Sequence, residues 1–263
     1  MSKQQHTDTQ TEIQNEAQNI AQFATRLGDD ALITGQRLCE WCAKAPTLEE
    51  DLALANVALD YLGRARMCYG YAGELLGKDE DHFAYQRHEP EFENALIVEL
   101  PRGDFAFTMV RQYLLDEFEV SYFQALISSG DSTFAGIAAK THKEVLYHQR
   151  RSLQWIKRLG LGTAESNRRS QEALDELWGY VDELFEMDSL ENTLADQGIV
   201  PNRQTLKNNW HKTVSATLSH AELSVPDSTW QVQGGREGVH TEHLGHLLAE
   251  MQSLSREHPG LTW

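Results

Sequence analysis

Apolar residues recur every three to four positions along almost all of the chain after residue 22, the spacing that gives an α-helix one apolar stripe. A first helix is predicted over residues 24–43, with Leu27, Ala31, Thr34, Leu38 and Trp41 facing inward. Pro46 interrupts it. Thr47, with Glu50 three positions on, has the form of a capping box, and it opens a second helix that runs to Gly77. The inward stripe of that helix is Leu54, Ala58, Tyr61, Ala65, Cys68, Ala72 and Leu75. Leu48, Leu52, Leu59 and Leu62 lie beside this stripe, which is more apolar surface than one core-facing side requires. Asp104, just after Pro101, is placed to cap a third helix over 105–128. The turn Ser128-Ser129-Gly130-Asp131 then leads to a fourth helix over 132–159. Further helices are predicted over 165–185, 202–223 and 241–257. Residues 1–22, rich in Gln, Thr, Asn and Glu, read as a disordered polar tail.

The connectivity is a hairpin, a long crossover over 78–102 with a short helix at 91–99, and a second hairpin. This is the ferritin-like order rather than a simple up-and-down bundle. The expected fold is therefore all-α: one domain over 23–263, a ferritin-like four-helix bundle with additional C-terminal helices. Gly234-Gly235-Arg236-Glu237-Gly238 has no preceding strand and reads as a turn, not a phosphate loop.

Charge narrows the partners. A formal net charge of −17 repels phosphate backbones and anionic bilayers, so neither nucleic acid nor a membrane is expected as a partner. Three cysteines, an odd number, point away from a disulfide framework and toward a reducing compartment. The N-terminal stretch has no apolar signal-like region, and the expected location is the cytoplasm.

A two-iron bundle of this connectivity draws a carboxylate from each of two helices and Glu-x-x-His from each of the other two. Here the second helix offers Asp60, Tyr61 and Arg64 at that depth, and a guanidinium is not a metal ligand. The fourth helix has His148 in place but Val145 where Glu is needed. The first helix presents Ala31 with Asp30 beside it, and the third keeps Asp116 and Glu119. Two readings compete. One is an unusual iron site built from Asp30, Asp60, Asp116 and His148. The other is a degenerate site in which Arg64, with Lys143, supplies the positive charge that buried acids need.

Three other groups stand out. Cys39-x-x-Cys42 is either a thiol site or, as expected for cysteines inside a helix, a pair of small buried residues. His240, Glu242 and His243, with His246, form either a surface metal site or a docking group for a partner or substrate. Arg150-Arg151 and Arg168-Arg169 could attract phosphates but read more simply as solvated helix faces.

Several stretches together resemble the C subunits of bacterial phenylacetyl-CoA epoxidases. They are Gly28-Asp29-Asp30, Glu40-Trp41-Cys42, Asp51 to Asn56, Gly103-Asp104-Phe105, Lys143-Glu144 with Tyr147-His148, and the run from His240 to Gly245. In that family the homologous A subunit holds the di-iron centre and performs the chemistry, and the C subunit is a catalytically silent scaffold. The resemblance implies that this chain holds no cofactor of its own. It implies as partners the catalytic A subunit and the other epoxidase subunits, including a reductase; self-association is a further option. The alternative from the residues alone is an independent di-iron oxidase or iron-binding protein.

Overall fold

The computed structural model describes residues 2–227 and 230–261, and side chains from residue 14 onward. Among the described residues there are nine α-helices and no strand. Two long hairpins form the bundle: α1 (Ser2–Cys39) with α2 (Leu48–Leu76), and α4 (Phe105–Leu126) with α5 (Ser132–Gly160). The crossover between them holds a π-helical turn at His82–Gln86, a 3-10 turn at Glu89–Glu91 and α3 (Leu96–Glu99). The remaining helices, α6 (Ala164–Leu177), α7 (Ser189–Asp196), α8 (Gln204–His220) and α9 (Glu242–Glu257), pack around this frame. None of the described helices is long and apolar enough to cross a membrane.

The helix starts follow the capping chemistry of the sequence. Thr47 accepts from the Glu50 amide, Asp104 from Phe107, and Asp131 from Thr133 and Phe134. Gly77 closes α2 in the left-handed conformation that costs glycine nothing. Four boundaries differ from expectation, and one is the crossover helix expected over 91–99, which starts only at Leu96. The stretch read as a polar tail is helical from Ser2, and at its end Ala21 is wholly buried and Gln22 donates to Glu93. At its other end α1 stops at Cys39, four residues early; Ala43 takes φ 61°, which a helix cannot continue through. The helix expected over 165–185 leaves the α form at Leu177 and continues as 3-10 turns, and α7 is an element that the apolar spacing does not predict.

α4 is the centre of the molecule. It is buried from Ala106 through Glu119 without a break, because α5, α6 and α8 all pack against it. The single inward stripe expected for it is too narrow: a helix enclosed by neighbours has no solvent face to keep polar. Trp210 of α8 reaches the α4 backbone directly, its indole N–H donating to the Leu114 carbonyl at 3.2 Å.

The crossover is held by charged groups of α1 rather than by apolar contact alone. Asp29, fully buried, accepts from the Tyr69 hydroxyl at 2.6 Å, from Arg87, and from the Glu93 amide at 2.8 Å. Asp30 accepts from the Ala95 amide at 2.8 Å and from Arg236 at 2.7 Å. Arg37 donates to the Glu99 carbonyl and, at 3.0 Å, to the His243 carbonyl.

Close backbone approach also fixes the second hairpin against α8. A Cβ built on Gly160 would lie 2.2 Å from the Ala221 carbonyl oxygen. Gly160→Ala is therefore expected to lower stability by roughly 1–3 kcal/mol from overpacking, outweighing the ~1 kcal/mol that alanine gains in helix propensity. A thermal melt of the variant measures this, and an unchanged or raised melting temperature would contradict the tight contact.

Candidate functional site

The residues at the depth of a bundle iron site form a connected polar network inside α2, α4 and α5. Arg64 is buried and donates through Nη1 to Glu119 at 2.6 Å. The Tyr61 hydroxyl donates to the other Glu119 oxygen at 3.1 Å. Gln112 donates through one amide to both the Tyr61 hydroxyl, at 2.8 Å, and Asp116, at 2.7 Å. The Ser152 hydroxyl closes the chain on the second Asp116 oxygen at 2.6 Å. Arg64 also lies over the rings of Tyr61 and Phe123, 4.5 and 4.7 Å from their centroids, so its unpaired nitrogens face π-electrons in place of water.

His148 is wholly buried and stacks on Tyr61 with ring centroids 5.5 Å apart. Its Nε2 meets Asp60 at 3.0 Å, and Asp60 sits at the edge of the bundle where its carboxylate still reaches solvent. Val145 and Ala31 are fully enclosed and offer no ligand atom.

Electrostatics follow from this packing. Burial pulls the Arg64 guanidinium down, but the charge and hydrogen bond of Glu119, together with smaller contributions from its other neighbours, hold it above its ordinary value. Burial pushes the Asp116 carboxyl up to about 7, against the opposing pull of His148 and the hydrogen bonds from Ser152 and Gln112. Tyr61 is pushed well above the ordinary phenol range by burial and by Glu119, so it stays a neutral donor.

Two residues expected here lie elsewhere. Asp30 is a salt-bridge partner of Arg236 and does not meet Arg64: its position on α1 faces the crossover. Lys143 points to solvent, since α5 is amphipathic and the position lies on its outer face. Gln112 and Ser152 belong to the network without having been expected there, although each is a polar residue four positions from a site residue of its own helix. The donor set does not fit iron. Arg64 puts a permanent cation where a ligand would be required, and among the described residues no group of three or more His, Cys, Asp or Glu side chains is placed to hold a metal.

His240, considered as a docking group, is instead an internal pin. Its side chain is fully buried, Nδ1 meets Glu99 at 2.8 Å and Nε2 the Phe92 carbonyl at 2.8 Å. Both nitrogens face acceptors, so the ring carries both protons; burial pulls its pKa down and Glu99 raises it on balance. Glu99, itself buried, also accepts from the Thr241 amide at 2.6 Å and from Asn94 at 2.9 Å. Glu242 is exposed and His243 half-buried beside the cleft lined by Asp104, Phe107, Arg169 and Tyr180. Arg168 and Arg169 pair with Glu165, Glu172 and Asp104 on a solvated face.

The network gives two measurable consequences. Arg64→Leu leaves Glu119 buried beside no cation and is expected to cost roughly 3–5 kcal/mol, with the double change Arg64→Leu, Glu119→Leu markedly milder. Thermal and denaturant melts of both variants decide it; a single variant melting with the wild type would show that Glu119 is not stranded. Asp116 titrates in the opposite sense to a salt-bridged acid. Its folded pKa is raised, so the native state holds the proton more tightly, and stability falls as pH rises from about 4 through about 7. Asp116→Asn should gain on the wild type over that window, by on the order of 4 kcal/mol at pH 8, and match it near pH 3.5. A pH-independent difference would refute the assignment.

Comparison with known proteins is consistent with the geometry. The chain is 46% identical over 245 residues to the C subunit of 1,2-phenylacetyl-CoA epoxidase from Escherichia coli (strain K12), spanning 93% of this chain and 99% of that protein. It also matches, over residues 1–263, the family described as phenylacetic acid catabolic protein. An all-α bundle of two hairpins joined by a long crossover, matched over its full length, makes this chain a member of the phenylacetic acid catabolic protein family.

Proposed function

We propose that this chain is the C subunit of a 1,2-phenylacetyl-CoA epoxidase: an iron-free scaffold that binds a homologous, iron-bearing catalytic subunit in the cytoplasm. The observation that carries the reading is the Arg64–Glu119 pair, buried at the depth where iron would need ligands. The likeness to the Escherichia coli protein supports the choice of complex. In this reading the redox chemistry, fed by a reductase subunit, belongs to the partner. This chain contributes packing surface.

A surface suited to that partner lies on α2. Leu48, Leu52 and Leu59 are 72%, 58% and 63% exposed, and their positions fall within about 40° of one another around the helix. Ala55 and Leu62 fill the same side, with Leu62 half-covered by α1 at Gly35. The result is a continuous apolar ridge roughly 20 Å long on an otherwise acidic molecule.

Two measurements test this. The purified chain should contain far less than one iron per chain, and it should co-elute with the catalytic subunit in gel filtration at micromolar concentration. Leu52→Glu with Leu59→Glu should weaken that complex at least about tenfold while leaving the melting temperature near wild type. Near-stoichiometric iron would overturn the scaffold role, and an unaffected complex would remove the ridge from the interface.

A further inference from the structure

The paired cysteines expected to be buried inside the first helix are not buried. Cys39 is the last residue of α1, Cys42 follows in the turn beyond it, and both are exposed. The Cys42 amide donates to the Cys39 carbonyl at 3.0 Å, so the two belong to one tight turn. In a turn of that kind the Cα atoms lie roughly 5–6 Å apart, inside the range a disulfide spans without backbone movement. The third cysteine, Cys68, is fully buried in α2 and out of reach of reagents.

The two residues between the thiols dock the end of α1. Glu40 accepts from Arg37 at 2.6 Å, and its carbonyl accepts from Arg102 at 3.1 Å. Trp41 donates from its indole to Thr108 at 3.0 Å, stacks edge-on to Phe105, and lies under the Arg102 guanidinium. Arg37 in turn holds the carbonyls of Glu99 and His243. The thiols therefore bracket a turn through which the end of α1 contacts the start of α4 and the crossover, one turn beyond the Arg37 contact with α9. Partial burial raises the Cys39 thiol and the neighbouring Cys42 adds to the rise, which lowers its thiolate fraction and slows exchange without preventing it.

We propose that Cys39 and Cys42 form a reversible dithiol–disulfide site that exchanges with small-molecule disulfides, closing a covalent clasp over Glu40 and Trp41. The thiolate of one cysteine attacks a sulfur of the small disulfide and expels the other half, which takes up a proton as a free thiol. The second cysteine, as thiolate, then attacks the mixed disulfide at the protein-bound sulfur, forms the Cys39–Cys42 bond and expels the second small thiol. Two protein thiols are oxidised by two electrons, and one small disulfide is reduced to two thiols.

The test uses the full chain incubated with reduced or oxidised glutathione, rapidly desalted, then labelled with a maleimide under native conditions and weighed intact. The reduced chain is expected to take two labels. The oxidised chain should take none, carry no glutathione, and be lighter by two hydrogens, with one proteolytic fragment pair joined through Cys39 and Cys42. Cys39→Ser and Cys42→Ser chains should instead each retain one glutathione. The wild-type result alone is decisive, so it stands if a variant fails to fold. Stable glutathione on the wild type, a covalent dimer, or two thiols that stay free under conditions that modify the single variants would each overturn the proposal.

Discussion

Asp29 sits wholly buried on α1 with Arg87, Tyr69 and the Glu93 amide around it, and the course of the crossover depends on that cluster. A carboxylate in such a place is tolerable only because every lone pair has a donor and a guanidinium balances its charge. Arg87 is a residue of the crossover, lying over the Phe92 ring 4.1 Å from its centroid, so the pair fixes where the chain goes as well as how the charge is met. A short stretch of α1 thus addresses four partners: Arg26 reaches Glu93 and Asp188, Asp29 reaches Arg87, and Asp30 reaches Arg236. The C-terminal segment is anchored on the same frame through Arg236 and through His240 on Glu99.

The interior of the bundle meets its charges in the same way. Arg64 and Glu119 cancel each other, Tyr61 and Gln112 pass the hydrogen bonding onward, and Asp116 is left as the one acid of the network with neutral donors only. That explains why Glu119 remains compatible with burial while Asp116 is driven toward its protonated form. Stacking of Arg64 on Tyr61 and Phe123 supplies the attraction its unpaired nitrogens would otherwise lack.

Much of the fold was legible because helical spacing and caps are local. Thr47, Asp104 and Asp131 act at the positions their sequence context gives them. The substitution of ligands by Tyr61, Arg64 and Val145 was equally local, since it needs only i, i+3 spacing. What escaped depends on long-range pairing. Nothing near Asp30 in sequence announces Arg236, more than two hundred residues away, and so Asp30 was assigned to the interior. His240 looked like a surface group because its partners, Glu99 and Phe92, are equally remote. The polar N-terminal stretch lacks a strong apolar stripe, yet Ala21 and Gln22 find contacts that composition does not reveal. The end of α1 was placed too late because Ala43, not a glycine, takes the left-handed turn.

The buried Arg64 network has a consequence for how this sequence can change. Building metal ligands at these positions would require replacing Arg64, Tyr61 and Val145 together. Single steps leave an enclosed charge unmet: a neutral residue at 64 strands Glu119, and a carboxylate at 145 adds a buried acid. The mutational paths toward a metal-binding interior therefore run through less stable intermediates, and the network acts as a ratchet. An arginine at the heart of such a bundle is held in place by the buried carboxylate it neutralises.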